Sequence, residues 1–266
     1  MRERIRLDTL MVERGLFESR SRAAAAVMAG DVEVVGRGPV KPGTLVFVDA
    51  DIHVADAPRY VSRGGLKLER ALECFDFSVE GRSALDVGAS TGGFTDCLLQ
   101  NGAERVICVD VGYGELDWRL REDPRVTVME RVNARSLQSA SLPYQPDLVV
   151  MDLSFISLAK VLPAVIACAA PRFDLLALVK PQFELGRGRV GKGGVVRQAD
   201  DRLEALVAAG EAARGLGLGV QRYCSSGLPG PAGNRESFMW CAEAERGGVE
   251  DLITAAREAE LEPAAP

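Results

Sequence analysis

The segment Asp86-Val87-Gly88-Ala89-Ser90-Thr91-Gly92-Gly93-Phe94-Thr95 decides how this chain is read. An apolar run ends in an acid, glycines follow at 88, 92 and 93, and a helix-like stretch begins. Such a strand–turn–helix lets the backbone come close to a ligand and leaves the first helical N–H groups free to bind it. The spacing is G-x-x-x-G-G. It is neither the G-x-G-x-x-G dinucleotide fingerprint nor a Walker loop, which needs G-K-[ST] to grip phosphates.

Working outward from this turn, five apolar runs (SALDVG, RVICVD, VTVME, DLVVMD and LLALVK) alternate with helix-length segments. That rhythm predicts a parallel sheet with helices on both faces. Near the end, GVQRYC and SFMWCA follow each other with no helix between them, so a terminal hairpin adds an antiparallel strand. The expected fold class is α/β, a Rossmann-like, mostly parallel sheet of seven strands. Each of the five runs carries an ionisable residue at or near its carboxyl end: Asp86, Asp110, Glu130, Asp152 and Lys180. Ligands of open α/β sheets bind outside those ends, and five charged ends in succession predict a site there.

Before the sheet lies a different module. Leu7, Leu10, Met11 and Leu16 fall at helical spacing up to Gly15; Ser19 is a candidate N-cap for a second helix that stops at Gly30. Short strands follow, around Val32 and Val34 and at LVFV, joined by the turn GRGPVKPG. Arg4, Arg6, Arg14, Arg20 and Arg22 cluster about the two helices, and Lys41 sits in the turn. Charge alone leaves a solvated face and a phosphate-binding face equally open. The expected division is a small α+β domain over 1–57, a linker over 58–63 and the α/β domain over 64–266.

Composition sets outer limits. In 266 residues, 47% are hydrophobic and 26% charged, which is ordinary for a globular protein. The net charge is -6, but residues 1–70 hold 12 Lys and Arg against 10 Asp and Glu, and the remainder 20 against 28. Six dispersed cysteines form no C-x-x-C pair, so no zinc site or disulfide framework is expected and a reducing cytoplasm fits. MRERIRLD lacks a signal-like apolar stretch, and no run approaches the ~20 residues of a membrane span. The single histidine, His53, reads as a strand residue near the surface, so the chemistry is expected to proceed without histidine. Trp118 and Trp240 invite a base-stacking reading, but core packing is the expectation for both.

The turn resembles the first motif of class I methyltransferases, which implies S-adenosylmethionine as cofactor. By that resemblance Asp86, Gly88, Ala89, Ser90, Gly92, Gly93, Phe94 and Thr95 cradle it, Asp110 and Val111 meet the ribose, Asn133 reaches the adenine, and Asp152 lies close by. The end of the fourth strand reads Asp152-Leu153-Ser154-Phe155, with neither the Pro-Pro of base amino-group methylation nor the cysteine of cytosine carbon methylation. Lysine and carboxylate are offered instead. They suit a ribose 2′-hydroxyl, whose proton must be removed or whose developing charge must be stabilised.

Taken together, YVSRGGLKL, DVGASTGGFTD, DVGYGELDWRLR, DPRVTVMERVNAR, DLSFISL, LVKPQFELGRGRVGKGGVVR and GPAGNRESF resemble the TlyA family over nearly the whole chain. These are ribosomal-RNA 2′-O-methyltransferases, some called hemolysins, with an S-four RNA-binding domain and an FtsJ-type methyltransferase domain. The resemblance implies a catalytic quartet at Lys67, Asp152, Lys180 and Glu236, with ribosomal RNA, as cytidine in free RNA or in ribosomal subunits, as substrate. It also implies RNA contacts from the arginines about the two helices, Arg4, Arg6, Arg20 and Arg22; Lys41 in the turn, Arg63 at the domain junction and Lys192 in the basic loop are added as RNA contacts by position, and no obligate protein partner is expected. Read singly, Lys67 would be a surface helix residue. The stretch 187–197, with Arg187, Arg189, Lys192 and Arg197, reads as a basic loop that grips phosphates. Two other readings make distinct demands. A non-catalytic RNA-binding scaffold predicts loss of a quartet residue, and a membrane-active hemolysin predicts a spanning or amphipathic segment.

Overall fold

The computed structural model describes residues 4–54, 59–191 and 193–262. It falls into two compact units, one ending at Arg59 and the other beginning at Tyr60.

The first unit is held by a small apolar centre. Helices α1 (Leu7–Glu13) and α2 (Arg20–Ala29) follow strand β1 (Arg4–Arg6), and β2 (Val32–Val34), β3 (Leu45–Phe47) and β4 (Ile52–Val54) complete it. Strands β1 and β3 pair antiparallel, as do β2 and β4. Leu7, Leu10, Met11, Ala23, Val27 and Val46 bury between the helices and strands. Ser19 caps α2 through the Arg22 N–H at 3.3 Å, and Gly30 ends it in the left-handed conformation. Strand β4 carries His53, the residue read from the sequence as lying in a strand near the surface, whereas β1, directly ahead of α1, was not read as a strand.

The second unit opens with α3 (Arg63–Phe75), followed by β5 (Ser83–Val87), α4 (Gly93–Gln100), β6 (Arg105–Val109), α5 (Trp118–Arg121), β7 (Val126–Met129) and β8 (Leu148–Met151). Then come α6 (Leu162–Ile166), β9 (Asp174–Val179), α7 (Pro181–Glu184), α8 (Ala199–Arg214), β10 (Leu218–Ser225), β11 (Ser237–Glu243) and α9 (Leu252–Leu261). The sheet has seven strands in the order β10-β11-β9-β8-β5-β6-β7. Strands β9, β8, β5, β6 and β7 run parallel; the β10–β11 hairpin lies antiparallel at the edge.

Alternation along each strand feeds two cores. Leu85, Val149, Met151, Leu175 and Ala177 face one layer of helices, while Ala84, Leu148, Val150, Leu176 and Leu178 face the other. A sheet buried on both faces explains why these strands read as continuous apolar runs. Chain order reverses between β5 and β8, so their carboxyl ends border the crevice where such folds bind ligands. None of the six cysteines forms a disulfide. Among the described residues no helix is long and apolar enough to cross a membrane, and no cluster of His, Cys, Asp and Glu could hold a metal ion.

Candidate active site

Three glycines of the turn each make room for a different neighbour. Gly88 has φ +86°, and a Cβ there would stand 2.5 Å from the Asp152 carbonyl oxygen. At Gly92 it would meet Leu120 of α5 at 2.3 Å, and at Gly93 the Ser62 hydroxyl, just ahead of α3, at 2.2 Å. Only glycine allows these approaches. Ser90, itself left-handed at φ 47°, donates its N–H to Asp110 Oδ2 at 2.8 Å and its hydroxyl to Glu115 Oε2 at 3.2 Å. The other Asp110 oxygen accepts the Gly112 N–H at 2.7 Å.

Asp86 is wholly buried. Its Oδ2 accepts the Thr95 N–H at 3.0 Å and the Thr95 hydroxyl at 2.7 Å, which ties the end of β5 to the start of α4. Oδ1 finds no hydrogen-bond partner among the described residues. Burial, reinforced by the nearby Asp152 and Asp110 charges and opposed by the Thr95 hydrogen bonds, pushes this carboxyl up to about 7.

Two cavities meet at Gly88, Ser90 and Asp152. The first, about 510 Å³, has apolar walls at Val111, Val132, Leu153 and Ile156 and polar groups at Asp110, Glu115 and Asn133. Its size falls within the range usual for small-ligand sites, about 300–1,000 Å³. An apolar cavity with two carboxylates and an amide in its lining suits a nucleoside: each acid has lone pairs left over with which it would accept a ribose hydroxyl. Together with the Gly88 cradle, this residue set fits an adenosyl cofactor. The second cavity, about 330 Å³, is bounded by Ser62, Arg63, Lys67, Phe94, Lys180 and Pro229.

The four candidate catalytic side chains form two ion pairs. Lys67 Nζ lies 2.5 Å from Glu236 Oε2, and both residues are almost wholly buried, at 6% and 2% exposure. Lys180 pairs with Asp152 and also donates to Ser154 Oγ at 3.2 Å. Lys67, Asp152 and Lys180 line the same 330 Å³ cavity, so two lysines and a carboxylate converge on it. Glu236 stands behind Lys67, in a wall shaped by Gly230, where a Cβ would strike its carboxylate at 2.4 Å. Asn234 fixes that wall: it accepts the Val196 N–H and donates to the Gly194 carbonyl, each at 2.8 Å. The loop after β8 is strained, since Phe155 has φ 66° and is 91% exposed against the Phe183 ring. Such conformations cost about 1–3 kcal/mol and tend to collect at functional sites.

The remaining candidates divide. Ala89, Ser90, Gly93 and Phe94 line the smaller cavity, and Val111, Asp110 and Asn133 the larger; Asp86, Gly92 and Thr95 line neither and support the turn from beneath. Of the five charged strand ends, Asp86 and Glu130 do not line the two cavities, and Glu130 faces away from them altogether toward Arg121. It pairs with Arg121 at 2.5 Å and accepts the Gly114 N–H at 2.8 Å, bracing the loop after β6. Lys67 is buried, contrary to its single-residue reading as a surface lysine. Trp118 corrects a second expectation: it is 71% exposed and not core. Trp240 does pack inward, against Phe75 and Phe77, with its indole N–H on Asp174.

The basic candidates are mostly engaged within the chain. Arg6 and Arg20 both reach the buried Asp8, at 2.8 and 3.3 Å, and hold its carboxyl down at about 2, with the Arg6 hydrogen bond the largest cause. Arg22 pairs with Glu18 at 3.0 Å, and Arg4 lies over the Phe47 ring at 4.7 Å. Lys41 is exposed, and Arg63 donates to the Pro229 carbonyl at 3.1 Å beside the smaller cavity. Arg189 is held by Asp201 and Glu204 at the start of α8, which leaves it less free for phosphate than a plain basic loop implies. Lys192 lies outside the described residues. Glu115, Ser154 and Asn234 were not singled out from sequence. Glu115 in DVGYGEL carried a signal, an acid five residues past Asp110, but only the folded loop brings it to Ser90.

Residues 60–243 match the FtsJ-like methyltransferase family. The chain is 48% identical over 95% of its length, and 97% of the relative's, to the 16S/23S rRNA (cytidine-2′-O)-methyltransferase TlyA of Mycobacterium tuberculosis. It is 41% identical over 76% of its length, and 84% of the relative's, to hemolysin A of Brachyspira hyodysenteriae. A solved structure from Streptococcus thermophilus, described as a hemolysin candidate, superposes with a TM-score of 0.73 at 38% identity and covers 97% of this chain and 96% of its own. By this family match and this degree of identity over nearly its whole length, the chain belongs to the FtsJ-like methyltransferases and, within them, to the TlyA family.

Proposed function

We propose that this enzyme methylates a ribose 2′-hydroxyl, that of a cytidine in ribosomal RNA, with S-adenosylmethionine as cofactor. The observation that carries the reading is the meeting of Lys67, Lys180 and Asp152 in one cavity that shares Gly88, Ser90 and Asp152 with the nucleoside slot. Asp110, Val111, Glu115 and Asn133 would hold the adenosyl part, and Gly88 to Ser90 the methionine part. When bound, the cofactor supplies an electrophilic methyl group on sulfur.

The chain's own residues prepare the hydroxyl. Lys180, oriented by Asp152 and Ser154, stands against the 2′-oxygen, either taking its proton as the base or stabilising the charge that develops there as the proton passes to solvent. Lys67 adds a second cation on the same cavity wall, and Glu236 fixes its direction. Stabilising charge that develops only on the way to the transition state raises the rate without tightening ground-state binding. Alignment contributes as well: a hydroxyl held in line with the methyl gains on the order of 7–11 kcal/mol over free encounter. The N-terminal unit, with Arg4, Arg22 and Lys41 on its surface, would dock on folded RNA, free or in a ribosomal subunit, in the cytoplasm and without an obligate protein partner.

Purified protein incubated with methyl-labelled S-adenosylmethionine and unmodified ribosomal subunits should transfer label to a ribose, mapped by nuclease digestion and mass spectrometry. Label on a base would overturn the quartet chemistry. Cofactor binding without transfer to any RNA would favour the scaffold reading, although none of the four quartet positions has lost its side chain.

A further inference from the structure

Two loops that carry the reacting side chains are fastened together by successive contacts. One runs from Asp152 to Leu158 after β8; the other is Lys180 with α7, after β9. Lys180 takes the Asp152 ion pair and the Ser154 hydroxyl. Three positions on, Phe183 meets Phe155 with ring centroids 5.2 Å apart. At the far end, Glu184 Oε2 accepts the Ser157 hydroxyl at 2.6 Å and Oε1 accepts the Leu158 N–H at 2.9 Å, both in a partly buried setting. Glu184 lines neither cavity.

We propose that Glu184 is a positioning residue for the methyl transfer: its carboxylate clamps the Asp152–Leu158 loop to Lys180 and so sets the angle at which Asp152 and Ser154 hold the Lys180 ammonium. The proposal rests on the assignment of Lys180 and Asp152 made above. The physical reason lies in the loop between the two fastenings. Phe155 sits in a conformation that an unrestrained phenylalanine avoids, so the loop keeps its course only because it is held on both sides. The Asp152 side is fixed by the end of β8, where the Asp152 N–H bonds the Val87 carbonyl at 3.1 Å. Glu184 alone among the described side chains hydrogen-bonds the other side, at Ser157 and Leu158. Without it the loop relaxes toward ordinary backbone angles, and Ser154 and Asp152 move with it. The same segment forms one wall of the nucleoside slot through Leu153 to Ile156, so the clamp aligns cofactor and acceptor together.

The full chain carrying Glu184→Ala, Glu184→Gln or Ser157→Ala is compared with wild type on ribosomal subunits. An amide at 184 keeps an acceptor for the Leu158 N–H and a polar partner for Ser157, so Glu184→Gln restores most of what Glu184→Ala loses. Glu184→Ala is expected to lower kcat by about tenfold to a hundredfold, the cost typical of a small misplacement of catalytic groups, with KM for RNA unchanged. Hydrogen exchange of the Leu158 amide speeds up in parallel, and S-adenosylmethionine binding by calorimetry weakens. Should Glu184→Ala fail to fold, Ser157→Ala, which removes one of the two bonds, carries the test with a smaller change in the same direction. Wild-type kcat and wild-type Leu158 exchange in the alanine variants would overturn the proposal, as would Glu184→Gln behaving no better than Glu184→Ala. If wild type itself transfers no methyl to RNA, the functional reading falls, and the exchange and calorimetry of Glu184→Ala still decide whether the clamp exists.

Discussion

Lys67 and Glu236 are 169 positions apart in sequence, yet they form the most deeply buried ion pair of the site. Burying two charges is costly, and a pair once buried is costly to break, since the survivor is left without a partner: about 3–5 kcal/mol. Lys67→Met should therefore lower stability by about that amount, while Lys67→Met combined with Glu236→Gln recovers most of it, both measured by denaturant unfolding. A double variant as unstable as the single one would remove the pair from this account. Lys180 is expected to behave differently. Lys180→Ala should cut methyl transfer by about 10²–10⁴-fold and leave cofactor binding in place, because Lys180 lines the 330 Å³ cavity proposed for the acceptor and not the larger one. At Gly88 the effect is reversed. Gly88→Ala places a methyl 2.5 Å from the Asp152 carbonyl oxygen at φ +86°, so cofactor affinity should collapse, as calorimetry would register, before any RNA is bound.

At the scale of elements, Asp86 joins β5 to α4 through both hydrogen bonds to Thr95. Its carboxyl is raised from 3.8 to about 7, chiefly by burial. Between those values the folded protein holds a proton that the unfolded chain has lost. The stability this group contributes is then complete below about pH 4 and disappears as pH rises through about 7. Asp86→Asn, which keeps an acceptor for the Thr95 N–H, should flatten that part of the Tm profile between pH 4 and 8; an unchanged difference from wild type across the range would refute the assignment. Elements were also where sequence patterns were least complete. Helix α5 has four residues, a single turn, and so no periodicity to say which side of Trp118 faces out. Likewise, a charge at a strand end reaches the crevice or turns aside according to the loop that follows. Glu130 turns aside toward Arg121, whereas Asp152 does not.

For the whole molecule, the division between Arg59 and Tyr60 separates cofactor chemistry from the candidate RNA-docking unit. A chain beginning at Tyr60 should fold, bind S-adenosylmethionine as the full protein does and lose most methylation of ribosomal subunits, as seen by circular dichroism, calorimetry and label transfer. Retained methylation would place RNA recognition in the second unit. The mostly parallel sheet with its terminal hairpin, the glycine turn and the strand-end acids Asp110 and Asp152 were legible from the amino-acid order, because apolar runs, glycine spacing and strand-end charges are local facts; the order of the strands in the sheet was not. The family, too, followed from short motifs, each of which is local. What tertiary structure alone decided were relations between distant segments: the burial of Lys67, its union with Glu236, the clamp from Glu184 to Ser157 and Leu158, and the occupation of Arg6 and Arg20 by Asp8. The physical reason is that a side chain's charge and shape are written in the sequence, but its partner and its exposure to water are set only when the strands and loops that carry them are brought together.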